Sequence, residues 1–143
     1  MAGPGFRLSV PVGWTVQRTL RSVSARRGSA LVSATAFTLL KPYSPALFSQ
    51  AARELDGVAA DLAAQSKGKL TERATTTVAG IRIRAYRFTG RPRTGTAYEE
   101  RIGFVLQGKR EYQLLCQAAS GAGDPGGACA LLFASFRLVA GIG

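Results

Sequence analysis

Apolar and polar residues alternate from the start of the chain. Phe6, Leu8 and Val10 share one face of an opening strand, while Arg7 and Ser9 share the other. Pro11 and Gly13 break that strand and turn the chain, so Trp14 is placed to pack back over the sheet edge. TVQRTLRSV continues as a second strand, and SARRGS, carrying Arg26, Arg27 and Gly28, reads as a hairpin loop. The segment SALVSATAFTLL is β-rich, with Leu31, Ser33, Thr35 and Phe37 alternating against Val32, Ala34, Ala36 and Thr38.

The period then changes. Ser44 with Pro45 forms an N-cap followed by proline at the first helical position, and the spacing predicts a helix from about Pro45 to Gln65. Leu47, Ala51, Leu55, Val58 and Leu62 recur at steps of three and four as its expected buried stripe. Gly57 costs about 1 kcal/mol relative to alanine inside a helix, which implies close backbone packing there. Three further strands follow: LTERATTTV, IRIRAYRF and AYEERIGFVLQ. Ala79-Gly80 joins the first two as a tight antiparallel hairpin, and Gly108-Lys109 turns the third into REYQLLCQAA. Asp124-Pro125 caps a short helix, GGACALLFASF, before a final RLV.

This order of elements predicts an α+β fold: a mainly antiparallel sheet flanked by one long helix and a short C-terminal helix. It also predicts a single domain over 6–139, with 1–5 as a flexible tether and 140–143 as a tail. The 143 residues suffice for one domain, and no apolar run approaches the roughly 20 residues that span a bilayer. Met1 to Gly5 lacks the charged and apolar regions of a signal peptide. Two settings follow, a cytoplasmic protein or one whose leader lies outside this sequence, and the Gly/Pro start so close to the first strand favours the second.

Charge narrows the choice of partner. Nineteen basic residues, fifteen of them Arg, stand against eight acidic ones, for a net charge of +11. Such an excess favours anionic surfaces such as envelope components, a membrane surface or an acidic protein, and it also serves plain solubility. The sharpest basic segment is IRIRAYRFTGRPR. Alternation sends Ile81, Ile83 and Ala85 to the core and leaves Arg82 and Arg84 on a solvated face shared with Tyr86 and Phe88. Arg82, Arg84, Tyr86, Arg91 and Arg93, extended by Arg26 and Arg27, are the candidate partner-binding surface. Interleaved Arg and aromatic residues also suit a nucleic-acid strand, but alternation alone accounts for the pattern, so nucleic acid is not the expected partner. Tyr43 and Phe48 are candidates to frame a groove between helix and sheet, against the plainer role of filling the core.

No histidine is present, which removes the Ser-His-Asp and Cys-His arrangements. All four lysines fall at predicted turns, and the adjacent Glu99 and Glu100 point to opposite faces of their strand. Phosphate-binding glycine motifs are missing too. We therefore expect no enzyme activity, no cofactor and no metal site, since two thiols without histidine cannot complete a structural zinc site. Cys116 and Cys129 flank a stretch rich in small and turn-forming residues that folds back easily. Bridged, they indicate an oxidising, extracytoplasmic setting; the alternative is two buried free thiols.

Several of these residues also carry a family resemblance. Phe6, Pro11, Gly13 and Trp14 match an F-x-x-x-x-P-x-G-W start. Val78-Ala79-Gly80 leads into a strand ending at Tyr86, Tyr112-Gln113-Leu114 forms a late Y-x-L strand, and the closing helix ends in Ser135-Phe136. In this order they resemble the PsbP-like and DcrB-like superfamily, which includes a yeast Ran-binding nuclear import factor, and especially bacterial envelope lipoproteins of the LpqN type. The resemblance covers Phe6 to Val139. It implies a sheet sandwiched between helices and a non-catalytic, extracytoplasmic binding module for a protein or anionic envelope partner. The alternative function is a carrier holding a lipid or other apolar ligand in a helix-sheet groove. No lipobox cysteine precedes the domain in this sequence.

Overall fold

The fold is described from a computed structural model covering residues 1–91 and 95–139. The 140–143 tail expected from the sequence lies outside the described residues. In chain order the strands are β1 (Ala2–Gly3), β2 (Phe6–Arg7), β3 (Thr15–Arg18), β4 (Ser22–Arg27) and β5 (Ala30–Tyr43). A 3-10 turn at Pro45–Leu47 leads into α1 (Phe48–Gln65), as the cap signals predict. Then come β6 (Leu70–Val78), β7 (Ile81–Gly90), β8 (Tyr98–Ala119), α2 (Ala128–Ser135) and β9 (Arg137–Leu138).

The main sheet runs β3-β4-β5-β8-β7-β6, and every neighbouring pair is antiparallel. β8 contributes two arms. A straight strand of 22 residues would reach roughly 70 Å at about 3.3 Å per residue. Instead the Ser120 N–H donates to the Ala97 carbonyl at 2.9 Å, so the two ends lie side by side. The reversal falls at Gly108-Lys109, where Gly108 takes the left-handed φ of +58° that a tight hairpin asks of its first central residue. One arm pairs with β7 from Arg84↔Phe104 to Gly90↔Tyr98, and the other pairs with β5 from Leu31↔Gln117 to Thr38↔Arg110. A second small sheet, β1-β2-β9, ties the two chain ends together. The first five residues, expected as a flexible tether, are thus part of the fold: Ala2 pairs with Arg7 and Gly3 with Phe6.

Side chains on the two faces of the sheet build two cores. On one face Leu132 and Phe133 of α2, with Phe6, Leu8 and Trp14, cover Val32, Ala34, Ile83, Ala85 and Leu114. Gly103 permits this approach, because a Cβ there would meet the Phe133 ring at 2.8 Å. On the other face α1 lays Leu55, Ala59 and Ala63 over Tyr86, Phe88, Ile102 and Phe104. The expected α+β sandwich is therefore present.

Local expectations need three corrections. The buried stripe of α1 is rotated: Leu47 and Val58 are 43% and 44% exposed, and Leu55, Ala59 and Ala63 point inward. The sheet supplies the bulk as aromatic rings, so the helix docks closely through alanines. Gly57 is exposed with open space around it, so no close packing explains it. The SARRGS stretch is not a loop, since Ser24–Arg27 belongs to β4 and only Gly28-Ser29 turns. The strand break lies upstream at Thr19–Arg21, where the Thr19 hydroxyl accepts the N–H groups of Arg21 (3.3 Å) and Ser22 (3.1 Å). Serine and threonine hydroxyls form such turns without glycine or proline, and β-propensity conceals them.

Candidate functional site

Most of the arginine-aromatic face of β7 is not solvated, and of its four side chains Arg82 alone stays exposed. α1 covers it, and the candidate partner residues there serve to dock the helix. Tyr86 is fully buried and donates its hydroxyl to Asp56 of α1. Arg84 reaches the same carboxylate with Nη2 at 2.9 and 3.0 Å and Nε at 3.2 Å. Desolvation pushes the Asp56 carboxyl up, but the hydrogen bonds from Tyr86 and Arg84 outweigh it and hold the group below its ordinary value. Burial, then the bond to Asp56, pushes the Tyr86 phenol well up, so it remains a neutral donor. Arg82 lies over the Phe48 ring, 4.0 Å from its centroid, a stacked cation worth about 0.5–1 kcal/mol.

The remaining members of the expected basic surface are dispersed. Arg26 and Arg27 sit beside the Gly28 turn at one end of the sheet, whereas Arg82 lies at the other, near Gly108. Arg91 is at the Gly28 end but on the far side of the sheet, its N–H bonded to the Ser66 carbonyl at 2.9 Å. Arg93 lies outside the described residues. Among the described residues no single surface gathers these arginines. Arg87 does pair with Glu72 at 3.4 Å, directly across the β6-β7 ladder.

Tyr43 and Phe48, in contrast, frame a groove. It opens where β5 ends and α1 begins, has a volume of about 460 Å³, and is walled by Tyr43, Pro45, Phe48, Ile81 and Leu106. Its only charged wall is Arg82, which stands exposed and has no ion-pair partner among the described residues. Beneath the helix the space closes: a gap of about 10 Å³ between Phe48, Leu55 and Phe104 holds one water at most. A ligand in the groove lies against α1, not under it.

At the opposite end is a larger, more polar cleft of about 510 Å³. Trp14, Arg87, Glu99, Arg101 and the Cys116–Cys129 pair line it. The two cysteines are bonded, with Cα atoms 5.6 Å apart, and staple α2 to β8. That pairing fits an oxidising compartment. Arg87 and Arg101 face each other across the ladder. Burial first, then the facing Arg87, lowers the affinity of Arg101 for its proton, and its guanidinium rests 4.0 Å over the Phe133 ring. Asp124, also at this cleft, is occupied by the N–H groups of Cys129 (2.8 Å) and Ala130 (3.0 Å). The buried indole N–H of Trp14 has no acceptor among the described residues. Glu100, on the same rim, is pushed up to about 7 by burial.

Sequence reasoning missed Asp56, Arg101 and the role of Trp14 in this cleft. Asp56 carried a usable signal, as an acid next to Leu55 at the edge of the inward stripe. Arg101 carried none, since its surroundings come from α2. No group of three or more candidate metal ligands is found among the described residues. Among those residues no helix is long and apolar enough to cross a membrane.

No family model matches the chain, and no curated protein matches it. Among solved structures it is similar to a crystal structure from Bacteroides thetaiotaomicron at 1.50 Å resolution, with a TM-score of 0.66 and 12% identity. The likeness covers 94% of this chain but 45% of that one, so this chain spans less than half the length of that protein. At that identity the likeness shows the fold alone.

Proposed function

We propose that this chain is a non-catalytic binding module outside the cytoplasm that takes an apolar chain with an anionic head in the Tyr43–Phe48 groove. The observation that carries this reading is the groove itself. Its volume of about 460 Å³ falls within the range of small-molecule sites, roughly 300–1,000 Å³, and its walls are mostly apolar, with Arg82 as the charged and Gln107 as the amide side chain. Arg82 is oriented by the Phe48 ring and is able to meet a carboxylate or phosphate at the groove mouth. The bonded cysteines support the compartment, the absence of histidine supports a non-catalytic role, and the resemblance to LpqN-type envelope proteins agrees with both. The 510 Å³ cleft is a weaker site, because Arg87 and Asp124 already bond within the protein.

Displacement of a fluorescent acyl probe by palmitate and by hexadecanol tests the assignment. Palmitate should bind saturably and about tenfold more tightly than the alcohol, with Arg82→Gln erasing the difference. Ile81→Glu should abolish binding of both, and because Ile81 also packs against the α2-side core, Tyr43→Ser, at a groove wall outside both cores, should weaken both without unfolding the chain. Absence of saturable binding, or binding indifferent to Ile81→Glu, would refute the groove as the site.

A further inference from the structure

One end of the sheet collects three chain reversals, Thr19–Arg21, Ala79-Gly80 and Gly108-Lys109, together with the register shift of β5 between Thr38 and Tyr43. The Ala36 N–H bonds the Arg21 carbonyl at 2.9 Å, and Tyr43 pairs with Gly108, so the Thr19–Arg21 and Gly108-Lys109 reversals both adjoin this part of β5. The Thr19–Arg21 turn and the irregular stretch of β5 each carry a leucine. Leu20 is 90% exposed and Leu40 is 104% exposed, and Phe37 on the strand between them is also open to solvent. Single exposed apolar residues are ordinary. Two almost fully exposed leucines at one end of the sheet, one in a turn and one at a strand irregularity, are not.

Cations surround them. Arg18, Arg21, Lys41, Lys109 and Arg110 all belong to these reversals or adjoin them. None is in an ion pair among the described residues. An acid on the adjoining strand, Glu111, sits opposite Phe37 and accepts the Gln113 amide at 2.9 Å. The far end differs, since among the described residues Val12 is its one exposed large apolar residue, and Glu99 and Asp124 stand there with its arginines.

We propose that this end docks on an anionic lipid bilayer, with Leu20 and Leu40 inserted at the boundary between headgroups and acyl chains and Arg21, Lys41 and Lys109 against the headgroups. Apolar tips ringed by cations suit that medium, which is apolar below and anionic above. A nucleic acid would answer the cations but give the leucines nothing to enter, and a protein partner would favour a continuous apolar patch over separate tips. The docking surface uses residues that do not wall the groove, so it stands independently of the ligand assignment. The groove nevertheless opens at this same end, through Tyr43 and Gly108.

The test is flotation of the full chain with phosphatidylcholine vesicles, alone or with about a third phosphatidylglycerol. The protein should float only with the anionic vesicles. Leu20→Ser with Leu40→Ser should lower the partition coefficient about tenfold. Lys41→Gln with Lys109→Gln should lower it about 25-fold, at roughly fivefold per cation. Arg26→Gln with Arg27→Gln, at the far end, should change it less than about twofold. All these positions are exposed turns or strand ends, and an unchanged melting temperature confirms folding. Equal binding to neutral vesicles, indifference to the leucine pair, or an equal loss from the far-end arginines overturns the proposal. Tighter binding to a single-stranded oligonucleotide than to anionic vesicles also overturns it. Binding of the acyl probe is measured separately, so failure of the groove leaves docking standing, and the reverse.

Discussion

Replacing Asp56 by alanine isolates what holds α1 to the sheet. The change removes the acceptor of the Tyr86 hydroxyl and the partner of the Arg84 guanidinium, leaving both against the helix. Stranding a buried charge costs about 3–5 kcal/mol. The Arg84 and Asp56 side chains are 18% and 25% exposed, so water offsets part of that. The phenol is enclosed, and losing its partner costs about 1–3 kcal/mol. A net loss of about 2–3 kcal/mol follows, lowering the melting temperature by about 8–12 °C in a chain of this size. Urea unfolding followed by Trp14 fluorescence and far-ultraviolet circular dichroism reads it. Exchanging the whole cluster for Leu, Met and Phe at 56, 84 and 86 should stay within about 1 kcal/mol of the native protein, since no charge is then stranded. The acid limb of stability gives a second readout. Because the folded carboxyl lies below its usual 3.8, its contribution is present above that pH and is lost as the pH falls through the folded value. Asp56→Ala should flatten that limb. A loss under about 0.5 kcal/mol in Asp56→Ala would mean that apolar contacts alone hold the helix, refuting the latch.

Glu100 should act in the opposite pH sense. With its folded value raised from 4.5 to about 7 by burial, its contribution is present below 4.5 and is lost as the pH rises through 7. Denaturant midpoints should therefore decline from about pH 4.5 to about 7 and level off above it, and Glu100→Gln should remove that decline. Removing the bridge with Cys116→Ser and Cys129→Ser should cost about 3 kcal/mol in the chain-entropy picture. Calorimetry checks this, and an unchanged midpoint would mean that the bridge constrains neither state.

Much of the architecture was legible in the residues alone. Period-2 alternation located the strands, Ser44-Pro45 marked the start of the helix, and Ala79-Gly80 and Gly108-Lys109 marked two hairpins. The cysteine pair was visible too, whereas for Tyr43 and Phe48 the residues alone favoured core packing over the groove that they wall. All of these depend on local periodicity, turn chemistry or short-range proximity, which neighbouring residues determine. Alternation said that Arg82, Arg84, Tyr86 and Phe88 share a face, but it carries no information about what covers that face. Only the docking of α1 turned an expected solvated surface into a buried contact with Asp56, and rotated the inward stripe to alanines that fit against aromatic rings. The gathering of Leu20, Leu40, Lys41 and Lys109 at one end was likewise decided by strand order. Residues nearly ninety positions apart become neighbours only when β5 is paired between β4 and β8. Faces belong to the chain, whereas neighbours across faces and ends belong to the packed molecule.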